Sequence, residues 1–385
     1  MNANAGSILR AKQQIRHYPT LSVYCLNILL GNHMREIKNT DWRINNFNFI
    51  RLLFATLVIL SHSFELVDGN NHREPFFMLF NTLSLGEIAV DGFFLLSGFL
   101  IMQSWDNHPP LFTFLKNRVL RIYPAFIVAS LICGLVVGPL GSNTEHYFDY
   151  FNIFQFIKGV FLLTMPVTPP IFDGQFYPLV NGSMWTIQYE FICYFLVAVL
   201  GIAHIDRRIV WVLLYIALSI SLAIPAISNQ CYISDSHFLC DDFYSLVCFL
   251  AFFCAGVCFY HFRHYIFYRA NYALACSIIL FILLFKAEIA SLALLTCGAY
   301  LLFWVAFKPL SILNWFKTYP DISYGVYLYG WPMQKLLLWY MPSLSPLLLF
   351  LFALVSSSIA GLLSWRCVEQ PFLKLKRRST ITIHN

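Results

Sequence analysis

An all-α, polytopic integral membrane protein is the fold class this sequence predicts, and three observations predict it. Of its 385 residues, 59% are hydrophobic and only 11% charged, less than half the charged share of an ordinary soluble domain and too few to cover a water-facing surface. Apolar stretches such as 243–259, 289–307 and 347–363 recur along the chain, each close to the ~20 residues that cross ~30 Å of hydrocarbon. Basic residues sit in short clusters between these stretches, the way loop charge reports topology in a membrane protein. The runs are apolar all round rather than alternating over ~10 residues, so helices and not a barrel are the spanning form.

Residues 1–45 read as a cytoplasmic leader. Ile8 to Arg16 is basic with no long apolar stretch and cleavage site behind it, so it is not a signal peptide. Leu21 to Leu30 is too short to cross and suits an interfacial helix, and Met34 is an alternative start. Spans follow at 49–66, 87–104, 120–140, 185–203, 209–227, 243–260, 271–286, 288–307, 322–341 and 345–364, giving about ten transmembrane segments with both ends in the cytoplasm. Loop charge tests that count. The inner segments hold Arg10, Lys12, Arg16, Arg35, Lys38, Arg43, Lys116, Arg118, Arg121, Arg207, Arg208, Arg263, Arg269, Lys308 and Lys317, and the tail adds Arg366, Lys374, Lys376, Arg377 and Arg378. The outer segments hold only Arg73, Lys158, Lys286 and Lys335. One membrane domain over 46–372 and a basic cytoplasmic tail over 373–385 result.

The longest outer segment, Gly141 to Ser183, has an apolar middle from Phe151 to Met165 that is too short to span and reads as a re-entrant or interfacial helix. Most of the eleven cysteines lie inside apolar stretches and pack as small hydrophobes. Cys231 and Cys240 instead flank a polar outer loop, where an oxidising compartment permits a disulfide without the spacing showing one. The net charge of +6 is dispersed among loops, so no nucleic-acid partner is expected.

Polar groups inside a bilayer are costly, and each is a candidate for function. Arg51 and His62 lie on the first span, ~16 Å apart along its axis, the arginine near the inner end and the histidine near the outer. Taken alone, His62 also fits a packed interfacial histidine and Arg51 a snorkelling anchor. In AVDGFFLLSGFLIM, Gly92, Ser97 and Gly98 fit close helix packing, and Asp91, at the outer end of that span, could face water, its role left open. In FLKNRVLRIYP, Arg118 and Arg121 share a helical face; two guanidiniums there suit phosphate and equally suit a topological charge cluster. NGSMWTIQYE opens the fourth span and brings Glu190 to a depth like that of His62, where the two could form an acid-base pair. Trp185, with Asn181 and Ser183 near the surface, could shape a sugar-binding mouth, although an interfacial aromatic belt explains Trp185 as well. His261 and His264 sit in a basic loop without a Cys or carboxylate to complete a ligand set, so no metal is expected.

FIRLLFATLVILSH, VDGFFLLSGFLI, RVLRIYP, SMWTIQYE, ISYGVYLYGWP and VEQPF occur in that order over residues 47–372, and this ordered set resembles the acyltransferase 3 family of membrane-bound acyltransferases. The resemblance implies transfer of an acyl group, usually acetyl, from cytoplasmic acyl-CoA to a hydroxyl of a surface or lipid-linked glycan on the outer side of the bacterial inner membrane. It makes acetyl-CoA the donor and the lipid bilayer and a glycan acceptor the partners. His62 matches the essential histidine and Arg51 the basic residue before it, while Arg118 and Arg121 match the pair implicated in holding the coenzyme. Glu190 and Trp185 fall in the motif of the fourth span. Tyr324 and Tyr327 match a tyrosine motif in which a histidine often precedes Trp-Pro, but Gly330 stands there in this chain. His62 would act as general base or as transient acyl carrier. A multi-span transporter is the alternative, and the internal symmetry common in that class is missing from this sequence.

Overall fold

The computed structural model describes residues 45–224, 242–310, 313, 316 and 319–381, and its described residues form helices with no strand. The expected leader and the Cys231 and Cys240 loop lie outside them. Helices stand at all ten expected positions: α1 (Phe47–Asp68), α3 (Leu85–Asp106), α4 (Leu111–Leu140), α6 (Ile187–Ile202, entered through a 3₁₀ turn at Gly182–Thr186), α7 (Arg208–Leu222), α8 (Asp242–His261), α9 (Ala270–Leu283), α10 (Ala287–Phe307), α11 (Ser323–Tyr340) and α12 (Pro346–Ser364). Seven stretches are long and apolar enough to cross a membrane, those of α1, α3, α4, α6, α8, α10 and α12. α7 and α9 are shorter, with 15 and 14 residues. α11 has the length, but its tyrosines, Gln334 and Lys335 make it too polar to qualify. That polarity is tolerated because Tyr327, Tyr329, Gln334 and Lys335 are buried among other helices rather than exposed to lipid.

Local sequence sets several helix ends. The Thr82–Glu87 stretch starts α3 with a capping box, in which the Ser84 hydroxyl accepts from the Glu87 N–H and the Glu87 carboxylate accepts from the Ser84 N–H at 2.7 Å. Gly69 ends α1 in the left-handed region at φ 74°. A short α2 (Pro75–Phe80) lies between, its first turn capped by the buried Glu74. The apolar middle of the 141–183 segment forms α5 (Ile153–Leu162), with Phe156 and Gly159 inward and Phe154 and Phe161 exposed. The same segment folds back over the helix ends, where Phe172 and Ile171 pack with Cys133, Val137, Tyr147 and Val180.

Two boundaries differ from expectation in ways that matter. α4 begins at Leu111, nine residues before the expected 120, because Arg118 and Arg121 are not loop charges but partnered residues on a helix packed into the protein. α12 does not stop at 364: a π-turn at Trp365–Glu369 carries it into α13 (Gln370–Ile381), and that turn presents Trp365 and Glu369 toward α4.

Small residues draw the central helices together. A Cβ on Gly98 of α3 would lie 2.0 Å from the Phe253 carbonyl oxygen of α8, and one on Gly256 of α8 would lie 2.1 Å from the Leu95 carbonyl oxygen of α3. The two backbones are in direct contact, and beside them Phe94 and Phe249 stack at 4.3 Å. Gly325 of α11 and Gly361 of α12 meet in the same way. Asp91, which at that end of the span could face water, is buried on α3, with the Cys248 thiol 3.9 Å away; the closeness of α8 is what covers it.

Gly98→Ala forces these backbones apart and is expected to destabilise the protein by ~1–3 kcal/mol, the usual cost of overpacking. Thermal unfolding in detergent measures this, and an unchanged midpoint would show that α3 and α8 can separate freely.

Candidate active site

The site begins with a carboxylate. Asp321 lies in the segment that leads into α11, outside the spans, and its side chain is bound from two helices: Arg51 of α1 at 3.0 Å and Arg121 of α4 at 2.8 Å, both on Oδ2. The Ser323 hydroxyl donates to its other oxygen. Burial by itself would push the Asp321 pKa up, but Arg121, Arg51 and the Ser323 hydrogen bonds outweigh burial and hold it down to about 2. Arg121 also lies 3.6 Å from Glu369, a carboxylate buried at the π-turn. One acid-base network therefore joins α1, α4, the start of α11 and the α12–α13 junction.

Arg118, one helical turn before Arg121, is held more loosely. Its Nη2 donates to Ser104 at 3.1 Å and its guanidinium lies near the Phe114 and Tyr194 rings, at 5.5 and 5.8 Å. Its buried Nε makes no hydrogen bond. Across from it, Glu190 in the first turn of α6 accepts from Ser97 at 2.7 Å and from the Tyr194 hydroxyl. These groups line a cavity of about 540 Å³ together with Val90, Phe93, Asn107, Thr186, Tyr324 and Tyr327. Tyr327 is fixed there by 2.7 Å hydrogen bonds to Thr186 and to the Ser183 carbonyl, and Tyr324 donates to the Ile122 carbonyl at 3.2 Å.

His62 is not part of the cavity lining. Its Nδ1 is 2.9 Å from Glu65 Oε2 and its ring meets the edge of Trp331 at 4.9 Å. Trp331 lies one turn beyond Tyr327 on α11, ~6 Å along the axis, so α11 connects the cavity with the His62 surroundings. The carboxylate bonded to His62 is thus Glu65, and the expected pairing with Glu190 does not form: Glu190 lies on the cavity wall, where it accepts from Ser97 and Tyr194, and His62 lies outside that wall.

The structure brings Arg51, Arg118, Arg121, Glu190, Tyr324 and Tyr327 to one cavity and leaves the remaining expected residues outside it. Asn181 and Ser183, expected near the surface, are buried: Asn181 caps the 3₁₀ turn and donates to the Leu328 carbonyl at 2.8 Å, and Ser183 offers its carbonyl to Tyr327. They tie the start of α6 to α11. Trp185 packs against Tyr189 and Phe249 at 5.8 and 5.5 Å. Arg118 and Arg121 are held differently: Arg121 pairs with Asp321 and Glu369, and Arg118 donates to Ser104. Ser97, read as a packing residue, donates to Glu190. Sequence reasoning missed Asp321, Glu369, Glu65 and Tyr194. The signal for the first two was present, since Asp321 directly precedes ISYGVYLYGWP and Glu369 lies within VEQPF, but counting only Lys and Arg passes over acids.

Comparison with known proteins agrees with the motifs. The family described as "Acyltransferase domain" (acyltransferase 3) matches residues 44–366. An O-acetyl transferase of Shigella phage Sf6 is 28% identical over 86% of this chain and 96% of its own length. Nodulation protein 10 of Rhizobium leguminosarum bv. viciae is 32% identical over 39% of this chain and 42% of its own, and Acyltransferase MdmB of Streptomyces mycarofaciens is 39% identical over 17% of each. No solved structure matches the chain.

Asp321→Asn leaves Arg51 without a carboxylate and Arg121 with Glu369 alone, and breaking a buried pair this way costs ~3–5 kcal/mol. The sign of its pH dependence follows from a folded pKa near 2 against ~3.9 unfolded. The ionised carboxylate contributes fully above pH ~4, and that contribution is lost as pH falls toward 2. Unfolding midpoints of the parent protein are expected to fall over this window, and those of Asp321→Asn to start lower at pH 7 and vary less across it.

Proposed function

Since this chain belongs to the acyltransferase 3 family and is an O-acyltransferase, we propose that it moves an acetyl group from cytoplasmic acetyl-CoA to a hydroxyl of a surface or lipid-linked glycan on the far side of the bacterial inner membrane. In this reading all ten helices cross the bilayer, with both termini and the Arg51, Arg118 and Arg121 ends of α1 and α4 in the cytoplasm. The printed name of the phage relative, O-acetyl transferase, supports acetyl as the group transferred.

The length and polarity of the cavity carry the proposal. Its lining on α3 runs from Asn107 to Val90, ~25 Å along the helix axis and close to the thickness of the hydrocarbon layer. One end gathers Arg51, Arg118 and Arg121 with Asn107 and Asn117; the other is walled by Val90, Phe93, Thr186 and Tyr327. Such a shape fits a donor with an anionic head and a long, nearly uncharged arm. Arg118 is the guanidinium available for phosphate, having a buried Nε without a partner, while Arg121 and Arg51 are engaged by Asp321. The arm then lies along Ser97 and Phe93 toward Tyr327.

From there the thioester reaches the His62 surroundings past Trp331. His62 acts as general base: it takes the proton of the acceptor hydroxyl as that oxygen attacks the thioester carbonyl. The carbon–sulfur bond breaks, the coenzyme thiolate leaves, and the imidazolium returns the proton to it. Atoms and charge balance without a metal or a redox partner.

Membranes given labelled acetyl-CoA are expected to transfer label to glycan. His62→Ala is expected to abolish transfer with normal amounts of inserted protein, and retained transfer removes His62 from the chemistry. Arg118→Ala is expected to weaken acetyl-CoA binding in detergent ~10- to 100-fold, the value of a charged hydrogen bond, without changing acceptor binding. Unchanged donor affinity would return Arg118 to a topological role.

A further inference from the structure

The surroundings of His62 contain a group that the reaction scheme leaves unused. Glu65 follows His62 by three residues on α1, a spacing that places both on one helical face, and its Oε2 is 2.9 Å from the imidazole Nδ1. Their side chains are only 22% and 17% exposed, so neither belongs to a freely solvated surface pair. We propose that Glu65 is the positioning residue of the reaction, holding the His62 ring and its tautomer so that Nε2 faces the acceptor hydroxyl. This rests on the reading of His62 as the base.

An ionised carboxylate can only accept, so the nitrogen facing Glu65 carries the proton and Nε2 keeps the lone pair that abstraction requires. Among the described residues Nε2 makes no hydrogen bond. Trp331 fixes the plane of the ring from the side, edge-on at 81°, and is itself tied down through its Nε1, which donates to the Leu179 carbonyl at 3.2 Å. A Cβ on Gly182 would lie 2.6 Å from the Trp331 ring, so the indole is closely covered on that flank.

The carboxylate is secured from the loop side too. Tyr177 donates to the Gly69 carbonyl at 3.2 Å with its hydroxyl beside Glu65. Next to it, the buried Lys335 donates to the Phe176 carbonyl at 2.8 Å, pinning the loop over α1 and α11. With Glu65 on one nitrogen and Trp331 against the ring, one edge of the imidazole is left for substrate. When His62 takes the proton, the adjacent carboxylate stabilises the imidazolium, and it need not change protonation itself.

The test uses the full-length protein in membranes with labelled acetyl-CoA, read as maximal transfer rate and KM for acetyl-CoA. Glu65→Gln keeps the shape but can present an N–H to Nδ1 and favour the wrong tautomer. Its maximal rate is expected to fall ~100-fold or more at unchanged KM, and Glu65→Asp to recover part of the loss. A parent-like maximal rate in Glu65→Gln, or a change in KM alone, overturns the proposal. If Glu65→Gln does not accumulate, Glu65→Asp decides: a reduced rate at unchanged KM supports the role and a full rate overturns it. His62→Ala measured in parallel separates the two readings. Transfer surviving His62→Ala overturns the base itself, whereas inactive His62→Ala beside fully active Glu65→Gln overturns only the positioning role.

Discussion

The shared carboxylate of Asp321 is the constraint on which the rest of the site depends. Two arginines from different helices cannot lie side by side in a poorly hydrated interior without a counter-charge. Asp321 supplies it to both Arg51 and Arg121 from the start of a third helix, and Glu369 adds a second carboxylate behind Arg121. The network fixes where α1, α4 and α11 stand relative to one another. It thereby sets the width of the cavity between them and leaves Arg118 as the guanidinium of the three that is not ion-paired to a carboxylate.

From this anchor two helices carry geometry away from the charged end. α11 presents Asp321 just before its first turn, then Tyr324 and Tyr327 on the cavity wall, then Trp331 against His62. α1 presents Arg51 at the network and, eleven residues on, His62 with Glu65 one turn further. The same two elements therefore carry residues at both ends of the site. The glycine contacts between α3 and α8 and between α11 and α12 remove slack from the helices that complete the walls.

The loop from 141 to 181 closes the other end. Its backbone carbonyls are taken by Lys335 and Trp331, which explains a lysine buried inside a helix bundle: it satisfies the irregular backbone of a segment that passes over the helix ends. In the proposed reaction, acceptor selection falls to this loop and the ring edge it leaves open, and donor selection to the cavity.

The positions of all ten helices were legible in the sequence, because apolar runs and the basic clusters between them are strong one-dimensional signals, although only seven of the stretches are long and apolar enough to span. So were the residues of greatest chemical interest, Arg51, His62, Arg118, Arg121 and Glu190, since polar groups stand out against an apolar background. Their partners were not legible. Depth along a helix can be counted from sequence, but rotation about its axis cannot, and rotation decides that Glu190 meets Ser97 and Tyr194 while His62 meets Glu65. Asn181 and Ser183 were misjudged for a related reason: a polar residue at a helix start reads as exposed until a neighbouring helix is found to cover it. The sequence by itself determined a helical membrane protein and the chemical vocabulary of its site; only the tertiary structure decided which acid answers which base, because long-range pairs such as Asp321 with Arg51 and Arg121 depend on packing between helices far apart in the chain.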